Sequence, residues 1–461
     1  VIPYYLAYGY PPTPETLFEG IYMLPPAHML SVDLSSQDTH PLERIRVYAY
    51  WEPPYPASGP DPRTEENIAA DLLAHLRWAV RLRMASDVPL GAFLSGGLDS
   101  AAIVALMAQE SRYAVKTFAI GFDDEVSFDE TAHARRVAAR FVADHHEFRV
   151  APNAIELVDD LVWYHDQPFG DSSAIPTYLV SKLARDYVTV ALTGDGGDEL
   201  FAGYDRFRAA NLARTYAQLP SAAQRAIDEV LEWLPESSAY RSFVRRANHF
   251  VRAAKLPLSE RYLSWVRYVP SMWVAALVGD EEEQAIQDHF ASLFSKRPTD
   301  EGDITAQLLD VNLRTYLPDD LLIKLDRCSM AVSLETRSPF LDHRLLEYVA
   351  GIPSHLKLRR GVSKYILKRA LRGVLPDNII DRKKHGFGVP VGRWFRNALA
   401  DYARSLLLSD RAYRRGYFDM DAVRGMLDAH ASGKVDLGQS LWPLLTFELW
   451  LRRFFDPPEW V

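Results

Sequence analysis

Two turns in this sequence carry residue types that could do chemistry. The first is Ser95-Gly96-Gly97-Leu98-Asp99-Ser100, entered from the apolar run Val88 to Leu94 and left by the helix-forming run Ala101 to Gln109. Gly96 and Gly97 lack a Cβ, so the backbone can turn its N–H groups onto an oxygen anion at the positive end of a helix. Ser95 and Ser100 add hydroxyl donors, and Asp99 adds a carboxylate suited to Mg²⁺. The lysine-bearing G-x-x-x-x-G-K-[ST] loop is absent, because Gly433-Lys434 is followed by Val435. A phosphate cradle without a γ-directed lysine suits attack at the α-phosphorus with release of pyrophosphate. The second turn is Thr193-Gly194-Asp195-Gly196-Gly197-Asp198-Glu199, after the apolar run Val188 to Leu192. Three acids among glycines at a strand end need a cation. At one sheet edge the two turns would set Asp99 and Asp198 on either side of a Mg²⁺-bound pyrophosphate, leaving Asp195 for proton transfer.

The elements around these turns alternate. Ile68, Leu72, Leu76 and Val80 recur every fourth residue behind Thr64, with Glu65 and Glu66 at the helix start. Strands are expected at 88–94, 115–121, 145–150 and 188–192, the last apolar enough to be buried on both faces. Between them Ser127-Phe128-Asp129-Glu130 has the S-x-x-E spacing of a capping box for a helix to Phe141, and helices are expected around 152–164 and 174–186. This pattern predicts an α/β, doubly wound parallel sheet whose ligand site lies at the C-terminal strand edge. Beyond Phe201 the strand signal fades and helical patterns run to the end. Residues 1–55 are too few for a core of their own and close on the Pro-rich stretch Pro53 to Pro62. Opening on Val1 rather than Met, they read as the tail of something larger.

With 461 residues, 48% of them apolar, the chain can bury a large core. It shows neither a membrane-length apolar run nor a signal peptide, and Cys328, its single cysteine, excludes a disulfide framework, so a cytoplasmic setting is expected. A formal charge of −9 argues against a large nucleic-acid surface. The basic tract Arg382-Lys383-Lys384-His385 is read as a solvated loop or a local patch, and Glu281-Glu282-Glu283 as a solvated helix face. His145, His146 and His165 show no metal spacing and are read as structural.

Taken together, five blocks resemble the synthetase domain of glutamine-dependent asparagine synthetases. They are Ser95 to Ser100, Thr193 to Tyr204, Leu317 to Met330 (LPDDLLIKLDRCSM), Ser333 to Asp342 and Gly361 to Lys368, in the family's order. The first turn is similar to the pyrophosphate loop of N-type ATP pyrophosphatases. Tyr5 to Pro12 and Phe18 to His28 resemble the segment joining that family's glutaminase and synthetase domains, which implies 1–55 as linker and remnant and 56–461 as the synthetase domain, helical from about 205. The glutaminase domain with its N-terminal cysteine is missing.

The resemblance implies an ATP- and Mg²⁺-dependent ligase that adenylates the aspartate side chain and transfers ammonia to it. Leu94 and Ile120 would line the adenine pocket. Ser95, Gly96, Gly97, Asp99 and Ser100 would hold the phosphates, and Thr193 and Gly194 would lie against the nucleotide. Asp99 and Asp198 would bind Mg²⁺, Lys364 would stabilise charge on the α-phosphoryl, and Asp195 would be the base. Some members carry Glu at that last position and β-lactam-forming relatives carry Tyr, so the shorter Asp195 serves only where substrate or a water sits closer. Asp171, Ser172 and Ser173 are candidates for the substrate pocket or for a helix cap. A peptide or β-lactam cyclase, an amidotransferase acting on another carboxylate, a tRNA-modifying pyrophosphatase and a nucleotide-binding regulator remain alternatives. Expected partners are small molecules and a separate or removed glutaminase, with no nucleic acid and no membrane. Oligomeric state is open, a homodimer being one option.

Overall fold

The computed structural model describes residues 1–35, 44–55, 57, 59, 61–122, 130–150, 157–233, 243–295, 302–382 and 389–456. Ser127 to Asp129 of the expected capping box, residues 152–156 of the expected 152–164 helix, Pro56 and Pro60 of the Pro-rich stretch, and Lys383 to His385 of the basic tract lie outside them. The chain begins with α1 (Ile2–Tyr8), β1 (His28–Val32), β2 (Ile45–Ala49) and α2 (Glu65–Arg83). It continues through β3 (Leu90–Phe93), α3 (Leu98–Glu110), β4 (Lys116–Phe122), α4 (Thr131–Arg140) and β5 (Asp144–Val150). Then come α5 (Val158–His165), α6 (Ala174–Arg185), β6 (Val190–Leu192), α7 (Gly197–Leu200) and α8 (Asp205–Ala217). Further helices follow, interrupted by β7 (Glu335–Arg337) and the small hairpin β8 (Leu358–Arg359) and β9 (Val362–Ser363).

Strands β3 to β7 form one sheet in the order β5-β4-β3-β6-β7, every neighbour parallel. Side chains alternate between faces along a strand. Phe118 and Ile120 therefore enter one core with α5 and α6, while Ala119 enters another with α2, α3 and α4. Helices on both faces make the sheet doubly wound. Because β3 is central and the chain returns from β5 to β6, the order reverses between β3 and β6, and both chemical turns leave those two strands at their C-terminal ends.

The local reasons are legible. Thr64 caps α2, its hydroxyl accepting from the Asn67 amide, and Ile68, Leu72, Leu76 and Val80 are buried. A Cβ on Gly91 would sit 2.7 Å from the Phe118 ring, so glycine lets β3 pack against its neighbour's side chain.

Two expectations need correction. The sheet takes its fifth strand, β7, from beyond Phe201, because three residues of a polar Glu-Thr-Arg segment give no periodic signal. The third glutamate of 281–283 is buried: helix Asp280–Ser295 turns Glu283 inward, where Arg267 grips it in a fork of 2.9 and 2.6 Å. The first residues share the main core, since Tyr5, Leu6, Ala7 and Tyr8 of α1 are buried and the Tyr5 hydroxyl donates to Pro443 O at 2.9 Å. The β1–β2 hairpin, by contrast, is exposed along almost its whole length. Among the described residues no helix is long and apolar enough to cross a membrane.

Candidate active site

The first turn closes on itself. Gly96 takes a left-handed φ of 72°, and Gly97 stands at the start of α3 with no side chain to cap it. Its amide donates to Ser95 Oγ at 3.3 Å, Ser95 and Ser100 share a hydrogen bond at 3.1 Å, and the Ser100 hydroxyl also lies 3.3 Å from Gly97 O. The donors expected to meet phosphate are thus gathered into one small ring. Leu94 directly follows β3 and Ile120 lies two residues before the end of β4, both with buried side chains, and the Leu94 amide donates to Phe118 O at 2.8 Å.

The second turn reaches the first through glycines. A Cβ on Gly194 would lie 2.9 Å from the Ser100 amide nitrogen, and one on Gly197 would lie 2.6 Å from the Asp99 carboxylate. Thr193 is tied to the β7 side of the sheet, its amide to Arg337 O at 2.9 Å and its hydroxyl to Ser338 Oγ at 3.0 Å. Lys364 begins helix Tyr365–Ala370 with a left-handed φ of 56° and its amide bonded to Phe201 O. Its ammonium lies 2.5 Å from Asp99 Oδ2 and 2.7 Å from Asp198 Oδ1, with the residue 6% exposed. Burial opposes the charge, but Asp198 and Asp99 outweigh it and hold the Lys364 pKa above the ordinary lysine value. Gly203 makes the approach possible, for a Cβ there would lie 1.8 Å from Asp198 Oδ1 and 2.2 Å from Lys364 Cε.

Asp195 sits between this junction and a second charged cluster. Burial raises its carboxyl pKa, helped by Asp198 and opposed by the Thr193 hydrogen bond and by Lys324. Lys324 binds Asp171 at 2.6 Å, and Asp171 also accepts from the Ser173 amide and hydroxyl at 2.9 and 2.7 Å. Asp171 therefore both ties down Ser173, the residue before α6, and holds a buried cation; no side chain caps the α6 start. Ser172 and Ser173 are themselves buried. Asp320 is fully buried beside this pair, and burial together with Asp171 raises its pKa well above the carboxylate range, leaving Oδ1 without a hydrogen-bond partner. A short π-helix, Leu317–Leu322, carries Asp320 and runs into helix Ile323–Met330, which carries Lys324.

Sequence reasoning quoted Asp320 and Lys324 inside a motif without giving them a role. Their spacing of four on one helical segment, an acid and a base amid leucines, was the available signal. Arg382 was also missed as a site neighbour. It donates to Gly96 O at 2.8 Å and to Glu130 Oε1 at 2.5 Å. His145 and His146 lie on β5, whereas His165, at the end of α5, stands near the Asp171–Lys324 pair. His165 is buried, bonded to Leu161 O, and burial lowers its pKa to about 4.

A model of the asparagine synthase family matches residues 71–452. Asparagine synthetase [glutamine-hydrolyzing] 1 of Bacillus subtilis (strain 168) is 30% identical over 448 residues, covering 97% of this chain and 67% of that protein. A second protein of the same organism, asparagine synthetase [glutamine-hydrolyzing] 3, is 28% identical over 388 residues, 81% of this chain and 55% of its own length. Amidase chyE of Penicillium rubens is 27% identical over 442 residues, 89% of this chain and 64% of its own.

Proposed function

The chain belongs to the asparagine synthase family, and from that premise, which makes it an ATP-dependent amide-forming ligase, we propose that it adenylates the side chain of aspartate and transfers ammonia to give asparagine, AMP and pyrophosphate. The observation that carries the site assignment is the convergence of Asp99 and Asp198 on one buried ammonium. Two carboxylates already gathered around a cation are a donor pair that fits Mg²⁺, and the Gly96-Gly97 turn beside them carries the backbone and hydroxyl donors suited to phosphate oxygens. Mg²⁺ supplies charge neutralisation at the phosphates. Among the described residues no group of three or more His, Cys, Asp or Glu is arranged for a metal, so Asp99 and Asp198 would share an ion with nucleotide oxygens and water.

Each protein group then has one task. Ser95, Gly97 and Ser100 bind phosphate oxygens once their mutual hydrogen bonds open, with Leu94 and Ile120 at the adenine and Thr193 and Gly194 along the nucleotide. Lys364 moves from the carboxylates to the α-phosphoryl, where its fixed charge stabilises the transition state. Asp195, its pKa raised by burial, takes the proton from the attacking ammonia. Asp171, Lys324 and Asp320 offer both signs of charge next to Asp195, which suits a zwitterionic amino acid. Residues 1–461 would take their nitrogen as ammonia, because Cys328 is buried against Ala174 O and burial pushes its thiol pKa up, away from any nucleophilic use. The alternative is an acceptor carboxylate other than aspartate, and not every relative is named an asparagine synthetase, one being named an amidase.

The test is to incubate the chain with ATP, Mg²⁺, ammonium and a panel of carboxylates and identify products by mass. Asparagine, AMP and pyrophosphate are expected, with no glutamate released when glutamine replaces ammonium. ADP and phosphate as products sink adenylation, and amidation of a different acid sinks the aspartate assignment.

A further inference from the structure

Arg382 has no part in the chemistry above, yet it reaches the phosphate turn from a rigid mount. Ile379 and Ile380, just before it, are buried in the core that contains α3, and Arg372 holds both carboxylate oxygens of Asp381 at 2.7 and 2.9 Å. From there one guanidinium spans two more elements, Nη1 donating to Gly96 O at 2.8 Å and Nη2 to Glu130 Oε1 at 2.5 Å. The side chains of Arg382 and Glu130 are each 14% exposed, so water competes little for these bonds. Gly96 is itself pressed against the start of α4, where a Cβ on it would come within 2.6 Å of His133 Cβ.

The peptide between Gly96 and Gly97 is the point of leverage. In a trans peptide the C=O and N–H point in opposite directions. A donor fixed on Gly96 O therefore turns the Gly97 N–H the other way, toward Ser95 Oγ and the ring of donors. A Gly-Gly pair is the least constrained backbone a turn can have, and without such a hold this plane can rotate at small cost. We propose that Arg382 is a positioning residue for nucleotide binding, locking the 96–97 peptide so that the Gly97 N–H is presented to phosphate, while Glu130 fixes the guanidinium and balances its charge. The proposal rests on reading 95–100 as the phosphate turn.

The test measures Mg²⁺·ATP binding by calorimetry and the KM for ATP against kcat, with unfolding of each ligand-free protein alongside. Arg382→Ala should weaken ATP binding roughly 10-fold or more, the scale for losing a charge-assisted hydrogen bond. Its KM should rise by more than its kcat falls. Arg382→Lys, able to serve only one of the two acceptors, should recover part of the loss, and Glu130→Gln should fall between. These two variants decide the matter if the alanine protein does not fold. ATP affinity equal to that of the unaltered protein in Arg382→Ala and Arg382→Lys overturns the proposal. So does an affinity loss that merely follows loss of ligand-free stability across the set. No ATP binding by the unaltered protein sinks the nucleotide reading itself, and the clamp with it.

Discussion

Lys364 concentrates the residue-scale argument, because one ammonium serves two carboxylates at 2.5 and 2.7 Å. Removing it leaves the Asp99 and Asp198 carboxylates close together with no cation between them. Lys364→Met should lose roughly 10²-fold or more of acyl-adenylate formation, measured as pyrophosphate–ATP exchange. Normal exchange in that protein would remove Lys364 from the chemistry. Asp195 belongs to the later step and has a pH signature. Its pKa is raised, so amide formation should fall on acidification at a higher pH than an ordinary aspartate would give, and that limb should vanish in Asp195→Asn. A pH profile identical in both proteins would assign the proton elsewhere. Both residues were legible because each sits in a motif. The Asp171–Lys324–Asp320 cluster was legible only in part, since its members lie about 150 residues apart and meet through tertiary packing.

At the scale of elements, glycine placement separates the site from the scaffold. Gly203→Ala would force a Cβ to within 1.8 Å of Asp198 Oδ1, so ATP-dependent turnover should be lost together with stability. Gly425→Ala is the contrast: it lies in helix Met420–Ala431, where a Cβ meets only Trp273 at 3.7 Å, and should stabilise by about 0.5–1 kcal/mol in denaturant titration. Equal effects of the two would contradict the packing described. Helix Ser354–Lys357 carries a different liability, for Lys357 is 1% exposed and burial, opposed by Asp303, lowers its pKa from 10.5 to about 7. Between those values the unfolded chain binds the extra proton, so this group makes stability rise with pH from about 7 upward, and its cost stands in full below. Lys357→Met should stabilise the protein near pH 7 by on the order of a few kcal/mol and flatten that rise. An unchanged pH slope would place the ammonium in contact with water. The strands flanking both turns and the Thr64-capped helix were readable from apolar runs and a fourth-residue repeat. Strand β7 and the inward Glu283 were not, because three polar residues and a glutamate triplet look the same whether a partner, Arg267 for instance, waits for them or not.

Across the whole molecule the two N-terminal pieces behave oppositely. Tyr5, Leu6, Ala7, Tyr8 and Tyr10 are buried, and losing even two large core side chains costs about 6–10 kcal/mol. That is comparable to the total stability of a typical domain. A chain starting at residue 11 should therefore fail to give a cooperative unfolding transition. Replacing residues 29–48 by a two-residue turn should leave the transition nearly intact, since β1 and β2 lie outside the buried cores. Folding of the first variant, or collapse of the second, would reverse this division. No local pattern could reveal it, as the partners of Tyr5 lie in helix Gly438–Phe454.

That contact also sets a timetable for biosynthesis. Tyr5 and Pro443 are 438 residues apart in the chain, so at ribosomal rates of about 5–20 residues per second α1 emerges roughly 20–90 s before its partner exists. Throughout that interval the Tyr5 hydroxyl lacks its acceptors, while Leu6, Ala7 and Tyr8 meet Val269, Tyr268 and Ile286 as soon as those residues have emerged. Any shortening at the far end that removes helix Gly438–Phe454 would leave the Tyr5 hydroxyl permanently without Pro443 O and Thr446 Oγ1, so proteolysis near residue 440 reaches as far as residue 5.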